Sequence, residues 1–252
     1  MTPWPERGFV VTGVSRGLGR ALAGALVDRG SFVLGIGRSS APALSGDRYG
    51  FVACDLADTA AIDEALAPAL RAFARRGLAS ACLINNAAVV GPLGVASALR
   101  APDIARALAV NLAAPAALAS AFLRAFADPS LERWVVNVSS GAARTPLAGA
   151  GVYCAAKAGL EMLTRTLALE VRDPRFRAVS IRPGVIDTDM QVALRAQDPD
   201  TLPSVAMFRD FRASGRLATP EVAAERIVER VLAADVVHGA TYASPDFDRP
   251  VE

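Results

Sequence analysis

GFVVTGVSRGLGRALAGALVD, residues 8–28, holds three pieces in a row. Gly8 to Thr12 is an apolar run of strand length, Gly13-Val14-Ser15-Arg16-Gly17-Leu18-Gly19 is a glycine turn, and Arg20 to Asp28 reads as a helix. In that order they make a phosphate cradle. The glycines let backbone approach a ligand closely, and the helix start offers free N–H groups and a positive dipole end to a pyrophosphate. The rest of the chain alternates in the same way, without repeat or linker. Strand-like runs at Ser31 to Ile36, Tyr49 to Cys54, Ala81 to Ile84, Trp134 to Val138, Arg177 to Arg182 and Ala240 to Ala243 are separated by helix-like ones. Residues 58 to 76, with Ile62, Leu66, Leu70 and Phe73 on one face, are the clearest of these. Further helices are expected over 103–127, 151–171 and 221–233. The pattern predicts one α/β domain over residues 1–252, a doubly wound parallel sheet of Rossmann type.

A second stretch carries chemistry. VVNVSSGAARTPLAGAGVYCAAK, residues 135–157, ends with Tyr153 and Lys157 four residues apart, which puts a phenol and an ammonium on one helical face. Lys157 is the only lysine in a chain otherwise dependent on arginine. Lysine is a compact point charge, not a wide fork, and it can lie beside a tyrosine. Ser140 stands thirteen residues before Tyr153, at the mouth of a buried strand. Ser139 is set aside, because alternation along the strand points it the other way.

Ser140, Tyr153 and Lys157, together with a TGxxxGxG turn in place of GxGxxG, resemble the short-chain dehydrogenase/reductase family over nearly the whole chain. The resemblance implies that Tyr153 is the general acid or base, that Lys157 lowers its pKa and holds the nicotinamide ribose, and that Ser140 steadies the substrate carbonyl. It also implies that Asn111, unusual inside an apolar helix, interrupts that helix and holds a water linking the lysine to solvent. Gly13, Ser15, Arg16, Gly17, Leu18 and Gly19 then bind the cofactor, as do Asp55 and Leu56 at the adenine, Asn86, and Pro183, Gly184, Ile186 and Thr188 over the nicotinamide. Asn85-Asn86-Ala87-Ala88 departs from the family's usual NNAG at Ala88. The chain's four asparagines, at 85, 86, 111 and 137, all fall where the family commonly has one.

Cofactor choice is read from charge. An NAD site usually has an acid about 20 residues beyond the glycines, yet none occurs between Asp28 and Asp47. Arg38 ends the second strand and Arg16 lies in the turn, two forks suited to a 2′-phosphate. NADP(H) is therefore expected, with two ordinary surface arginines as the alternative.

Residues 189–219 lose periodicity and are expected to form an irregular substrate lid, where Met190 and Phe208 line the pocket or dock the lid on the core. LINNAA, the Tyr153-Cys154 pair and DTDMQ look like sepiapterin reductases and bacterial relatives that reduce diketones. That likeness makes Asp246 a candidate anchor for substrate and implies reduction of a small ketone or vicinal dicarbonyl. A 3-oxoacyl thioester reductase and a nicotinamide-sensing regulatory protein remain alternatives. The latter would have no need of Asn111, Ser140, Tyr153 and Lys157.

Composition narrows the rest. The 252 residues are 52% hydrophobic and 21% charged, with a formal charge of +2, so neither a nucleic-acid nor a membrane partner is expected. Cys54, Cys82 and Cys154 suggest no disulfide frame and no metal site. MTPWPERG is not signal-like and no unbroken run of 18 apolar residues occurs, so a cytoplasmic location is expected. The alanine-rich helices 103–127 and 151–171 are expected to join copies into a homodimer or homotetramer. The single histidine, His238, is expected at the surface.

Overall fold

The computed structural model describes residues 4–41, 43–245 and 247–251. Seven strands run parallel in one sheet: β1 (Arg7–Thr12), β2 (Phe32–Gly37), β3 (Tyr49–Ala53), β4 (Ser80–Asn85), β5 (Glu132–Val138), β6 (Phe176–Arg182) and β7 (Thr241–Ala243). The short β8 (Pro250–Val251) pairs antiparallel with β7, beyond the last strand read from the sequence. The order across the sheet is β3-β2-β1-β4-β5-β6-β7-β8. The chain therefore winds outward from β1 in one direction and then from β4 in the other. Ligands bind such sheets at the carboxyl edge of that switch point. Every residue of β1 and of β4 is buried, as expected of strands covered on both faces, and hence their near-continuous apolar runs.

Helices cover the two faces. α1 (Gly17–Asp28) packs with Phe9, Val11 and Val136, while α2 (Ile62–Ala74) packs with Val10, Leu83 and Val135. Adjacent strand residues thus serve opposite cores, which is the period-two alternation of a strand. Ile62, Leu66, Leu70 and Phe73 form the buried stripe of α2, as read from the sequence.

The helix expected over 103–127 is instead α3 (Ala101–Leu108), one π-helical turn (Ala109–Ala113) and α4 (Ala114–Ala125). Asn111 lies in the π turn. Ala101–Ala125 is long and apolar enough to span a membrane by length and composition, yet half of its most apolar stretch is buried within the fold. α5 (Gly151–Glu170) carries Tyr153 and Lys157, and Met162 and Leu169 on it stay 54% and 77% exposed.

The irregular lid is corrected to two short helices, α6 (Asp189–Arg195) and α7 (Val205–Ala213). At 7 and 9 residues they are too short to show an apolar repeat across several turns. They close a small core of their own around Leu194, Leu202, Val205 and Phe208. α8 (Pro220–Ile227) follows, extended by a π turn over Val228–Leu232.

His238 is also corrected. It is part-buried and bridges two elements: its Nδ1 accepts the Ala178 N–H (3.1 Å), so its Nε2 carries the proton and donates to the Ala168 carbonyl (2.9 Å). β7 pairs with β6 only from Ser180 onward, and the imidazole satisfies the amide that the short strand leaves over. His238→Phe keeps a ring but no acceptor. Urea unfolding is expected to show a loss of about 1–3 kcal/mol, the cost of an unpaired buried donor; a loss below about 0.5 kcal/mol would mean that water replaces the ring there.

Candidate active site

The carboxyl edge of the sheet is built from strand ends. At β1 the chain leaves Thr12 into the glycine turn, where Gly13 and Gly17 have positive φ of 75° and 54°, conformations that glycine adopts without strain. A Cβ on Gly19 would lie 2.2 Å from the Gly13 carbonyl oxygen and 2.4 Å from Asn86 Nδ2, so helix and turn pack only while that residue is glycine. The first bond of α1 runs from Arg20 N–H to Arg16 O (3.3 Å). The N–H groups of Gly17, Leu18 and Gly19 therefore precede the helical ladder and are available to an anion.

Thr12, which the sequence reading passed over, ties this turn to β4. Its Oγ1 accepts the N–H groups of Asn86 and Ala87, each at 2.9 Å. Asn86 Nδ2 returns a bond to the Thr12 carbonyl at 2.9 Å. The amide of Asn86 is thus a strut beneath the glycine turn. In the sequence Thr12 shows as the first residue of the TGxxxGxG turn and as the polar end of an apolar strand.

Beside the turn, Leu56 is buried and the Asp55 carboxylate accepts the Ala57 N–H (3.0 Å) and a bond from Arg106 (3.3 Å). Those two bonds, the backbone one foremost, hold its pKa below the usual carboxylate range. Arg38 is exposed at the end of β2 and makes no ion pair among the described residues. Arg16 pairs with Asp189 at the start of α6 (2.6 Å), both side chains about 70% exposed. Exposed pairs of this kind contribute little, so the guanidinium is held only loosely.

β5 ends in the catalytic candidates. Ser140 Oγ accepts the Ala142 N–H (3.2 Å) and lies beside the Tyr153 phenol. Burial raises the pKa of that phenol, and the neighbouring Ser140 hydroxyl only partly opposes the shift. One turn along α5, Lys157 is 2% exposed, donates from Nζ to the Val138 carbonyl (2.7 Å) and lies 5.7 Å from the centre of the Tyr153 ring. Burial lowers its pKa to about 8. Ser139 points away, donating to Glu161 (2.6 Å), as alternation requires. Asn111 does not bond to Lys157. Its side chain clasps the backbone of Val89, accepting the N–H (2.9 Å) and donating to the carbonyl (2.7 Å).

At the end of β6, Pro183 and Gly184 open a loop in which Gly184 has φ of 82° and a Cβ there would stand 2.9 Å from Ser244 Oγ. Ile186 is buried and bridges to Ala218. Thr188 lies against Gly17, its Cγ2 3.3 Å from where a Cβ on that glycine would be. The loop after β6 thus returns to the glycine turn. Of the lid candidates, Phe208 is 5% exposed and packs edge-on against Phe211 (6.1 Å), so it docks the lid instead of lining a pocket; Met190 is part-exposed. Asp246 lies outside the described residues. Glu161 and Arg182 escaped the sequence reading, although Glu161 is four residues beyond Lys157 on the same helix face.

These residues fit a dinucleotide: an open helix start, a turn that only glycine can make, a buried leucine beside an acid for the base, and a lysine near the tyrosine. Among the described residues no cluster of His, Cys, Asp and Glu is suited to a metal ion.

Residues 8–199 match the sequence profile of short chain dehydrogenase. A benzil reductase ((S)-benzoin forming) of Bacillus subtilis is 30% identical over 95% of this chain and 98% of its own length. The sepiapterin reductase of Mus musculus is 38% identical over 76% of this chain and 79% of its own. Among solved structures, a putative 2-deoxy-D-gluconate 3-dehydrogenase from Agrobacterium tumefaciens with bound NADP superposes with a TM-score of 0.78 at 26% identity, covering 98% of both chains.

The buried Lys157 makes stability depend on pH. Its folded pKa is about 8 and its unfolded one about 10.4, so between those values the unfolded chain binds more protons and stability rises with pH. The penalty for burying the ammonium is full below the folded value and is relieved above it. Urea unfolding of wild type and Lys157→Met at about pH 7.5 and about pH 9.5 should show the difference moving by about 2 kcal/mol in favour of wild type at the higher pH. A pH-independent difference would show that the ammonium is not desolvated.

Proposed function

We propose, from the premise that the chain belongs to the short-chain dehydrogenase/reductase family, that it is an NADPH-dependent carbonyl reductase acting on a small ketone or vicinal dicarbonyl. The observation that carries this reading is the grouping of Ser140, Tyr153 and Lys157, with the serine hydroxyl beside the phenol and the buried ammonium 5.7 Å from the ring centre. When bound, the nicotinamide supplies the hydride to the carbonyl carbon. Tyr153 holds the proton that the developing alkoxide needs, since a buried phenol with a raised pKa is protonated at neutral pH. Ser140 donates to the same oxygen and so steadies the charge that grows there. Lys157, with one of its three donors held by Val138, stabilises the phenolate left behind. In the reverse direction its charge makes the tyrosine a competent base near neutrality.

The glycine turn, Asp55, Leu56 and the loop from Pro183 to Thr188 would hold the dinucleotide. Preference for NADPH rests on Arg38, an exposed cation at the end of β2 with no ion pair among the described residues, and on Arg16, which need only release a solvent-exposed partner. A charge-assisted bond to a 2′-phosphate outweighs such a pair. The neighbour with bound NADP supports the same choice. The substrate class is supported by the benzil and sepiapterin reductases among the relatives and by the apolar lid with part-exposed Met190 beside the cleft. Apolar surface of this kind holds a ketone by burial and leaves orientation to the two hydroxyls.

The purified protein with NADPH should oxidise the cofactor fastest with benzil, a short aliphatic diketone or sepiapterin in a panel that also holds a sugar and an acyl thioester. Fastest turnover on either of the last two would replace the substrate class. With the best substrate, Tyr153→Phe is expected to lower kcat by far more than tenfold, about 1.4 kcal/mol of barrier, while NADPH binding stays near wild type. A variant above a tenth of wild-type kcat, about that same energy, would remove Tyr153 from the chemistry. Arg38→Asp sets a repelling charge at the phosphate and should move the NADPH/NADH ratio of kcat/KM toward NADH; an unchanged ratio would make Arg38 a surface residue only.

A further inference from the structure

We propose that Glu161 is a positioning residue of this site, fixing the strand end that bears Ser140 and the strand end that bears Pro183 and Gly184 in one geometry with Lys157. The inference rests on reading Ser140, Tyr153 and Lys157 as the reacting group. Glu161 stands one turn beyond Lys157 on α5, so the two side chains leave the same helix face. Lys157 reaches the end of β5 at Val138. Glu161 reaches both strand ends at once. Its Oε1 accepts Ser139 Oγ (2.6 Å) and Arg182 Nε (2.8 Å), and its Oε2 accepts Arg182 Nη2 (2.8 Å).

Both partners are next to working residues. Ser139 precedes Ser140, and its N–H bonds to Ile181 O at 2.7 Å, the last tie between β5 and β6. Arg182 precedes Pro183, where the chain turns over the glycine loop. The register between β5 and β6 ends at Val138 and Ile181, and the carboxylate links the residue that follows each of them. A two-pronged guanidinium bond fixes a plane as well as a distance.

Stability alone is a weak reason for the brace. The Glu161 and Arg182 side chains are only 10% and 12% exposed, and replacing a buried ion pair by apolar residues of similar volume is often neutral or stabilising. Burial would raise the Glu161 pKa, but the bonds from Arg182 and Ser139 more than offset it and keep the group ionised. Arg182 in turn neutralises that charge. Consistent with this, the lowered pKa of Lys157 is set by burial and by no carboxylate.

The test is the double variant Glu161→Leu with Arg182→Met, which keeps apolar volume and removes the brace. Three quantities are measured: melting temperature, affinity for the reduced cofactor (NADPH, or NADH if that binds tighter) by its fluorescence, and affinity for the matching fragment without the nicotinamide, adenosine 2′,5′-bisphosphate or AMP. The expected result is a melting temperature at or above wild type and unchanged fragment affinity. Reduced-cofactor affinity and kcat should each fall by about tenfold or more, since small displacements of positioned groups are costly. A stable double variant with wild-type cofactor affinity and kcat would overturn the proposal. If the double variant does not fold, Arg182→Lys decides by the same readouts, because it keeps the charge and loses only the fork; wild-type values there would equally overturn it. A wild type without carbonyl turnover would defeat the proposed function, and the ratio of cofactor to fragment affinity would still decide the role of Glu161.

Discussion

Parallel pairing is the constraint from which the rest of this molecule follows, because seven strands that run the same way must all end on one edge of the sheet. Each connection has to cross back over a face, and the crossovers are the helices. Residues as distant in sequence as Gly13, Asp55, Asn86, Ser140 and Gly184 consequently all lie within two residues of a strand end. None of them is drawn together by a bond to another. They meet because the hydrogen-bond ladder leaves their loops nowhere else to go, and the change of winding direction between β1 and β4 opens the cleft between them.

Within that frame the costly element is a cation. Lys157 is buried, and among the described residues no carboxylate bonds to it and its one hydrogen bond is to the Val138 carbonyl. Burial disfavours its charge and, next to it, disfavours charge on the Tyr153 phenol. Two groups of opposite charge type, each pushed toward neutrality by burial, are poised to ionise together, since an ammonium and a phenolate side by side relieve one another. The same low dielectric that lowers the lysine pKa strengthens that mutual attraction.

The interior is polar where α5 meets the sheet. Asn85 donates to Asn137 (2.8 Å), Asn137 to the Thr164 hydroxyl (2.8 Å), and that hydroxyl is bonded with Ser180 (2.7 Å). The chain stitches β4, β5, β6 and α5 together. Groups buried in this way are expensive unless paired, so the network fixes the helix in one rotation and translation. Glu161 completes the arrangement one turn from Lys157. The asparagines at 85 and 137 belong to this scaffold, whereas Asn111 acts on the loop at Val89.

The sequence by itself determined what depends on neighbours a few residues apart. The apolar runs of β1 and β4, the stripe of α2, the glycine turn and the four-residue spacing of Tyr153 and Lys157 all follow from helix and strand periods and from the special conformations of glycine. Family resemblance extended that reading to Ser140 and to the loop after β6. Only the tertiary structure decided which side chains meet across the crossovers. Arg16 finds Asp189 at a separation of 173 residues, Glu161 finds Arg182 at 21, and His238 finds the amide of Ala178 at 60. Such partners depend on strand register and helix rotation, which no local pattern states. The lid illustrates the boundary: its helices are too short for periodicity to reveal, and Phe208, equally apolar whether it lines a pocket or docks a helix, was assigned to the small core by packing alone.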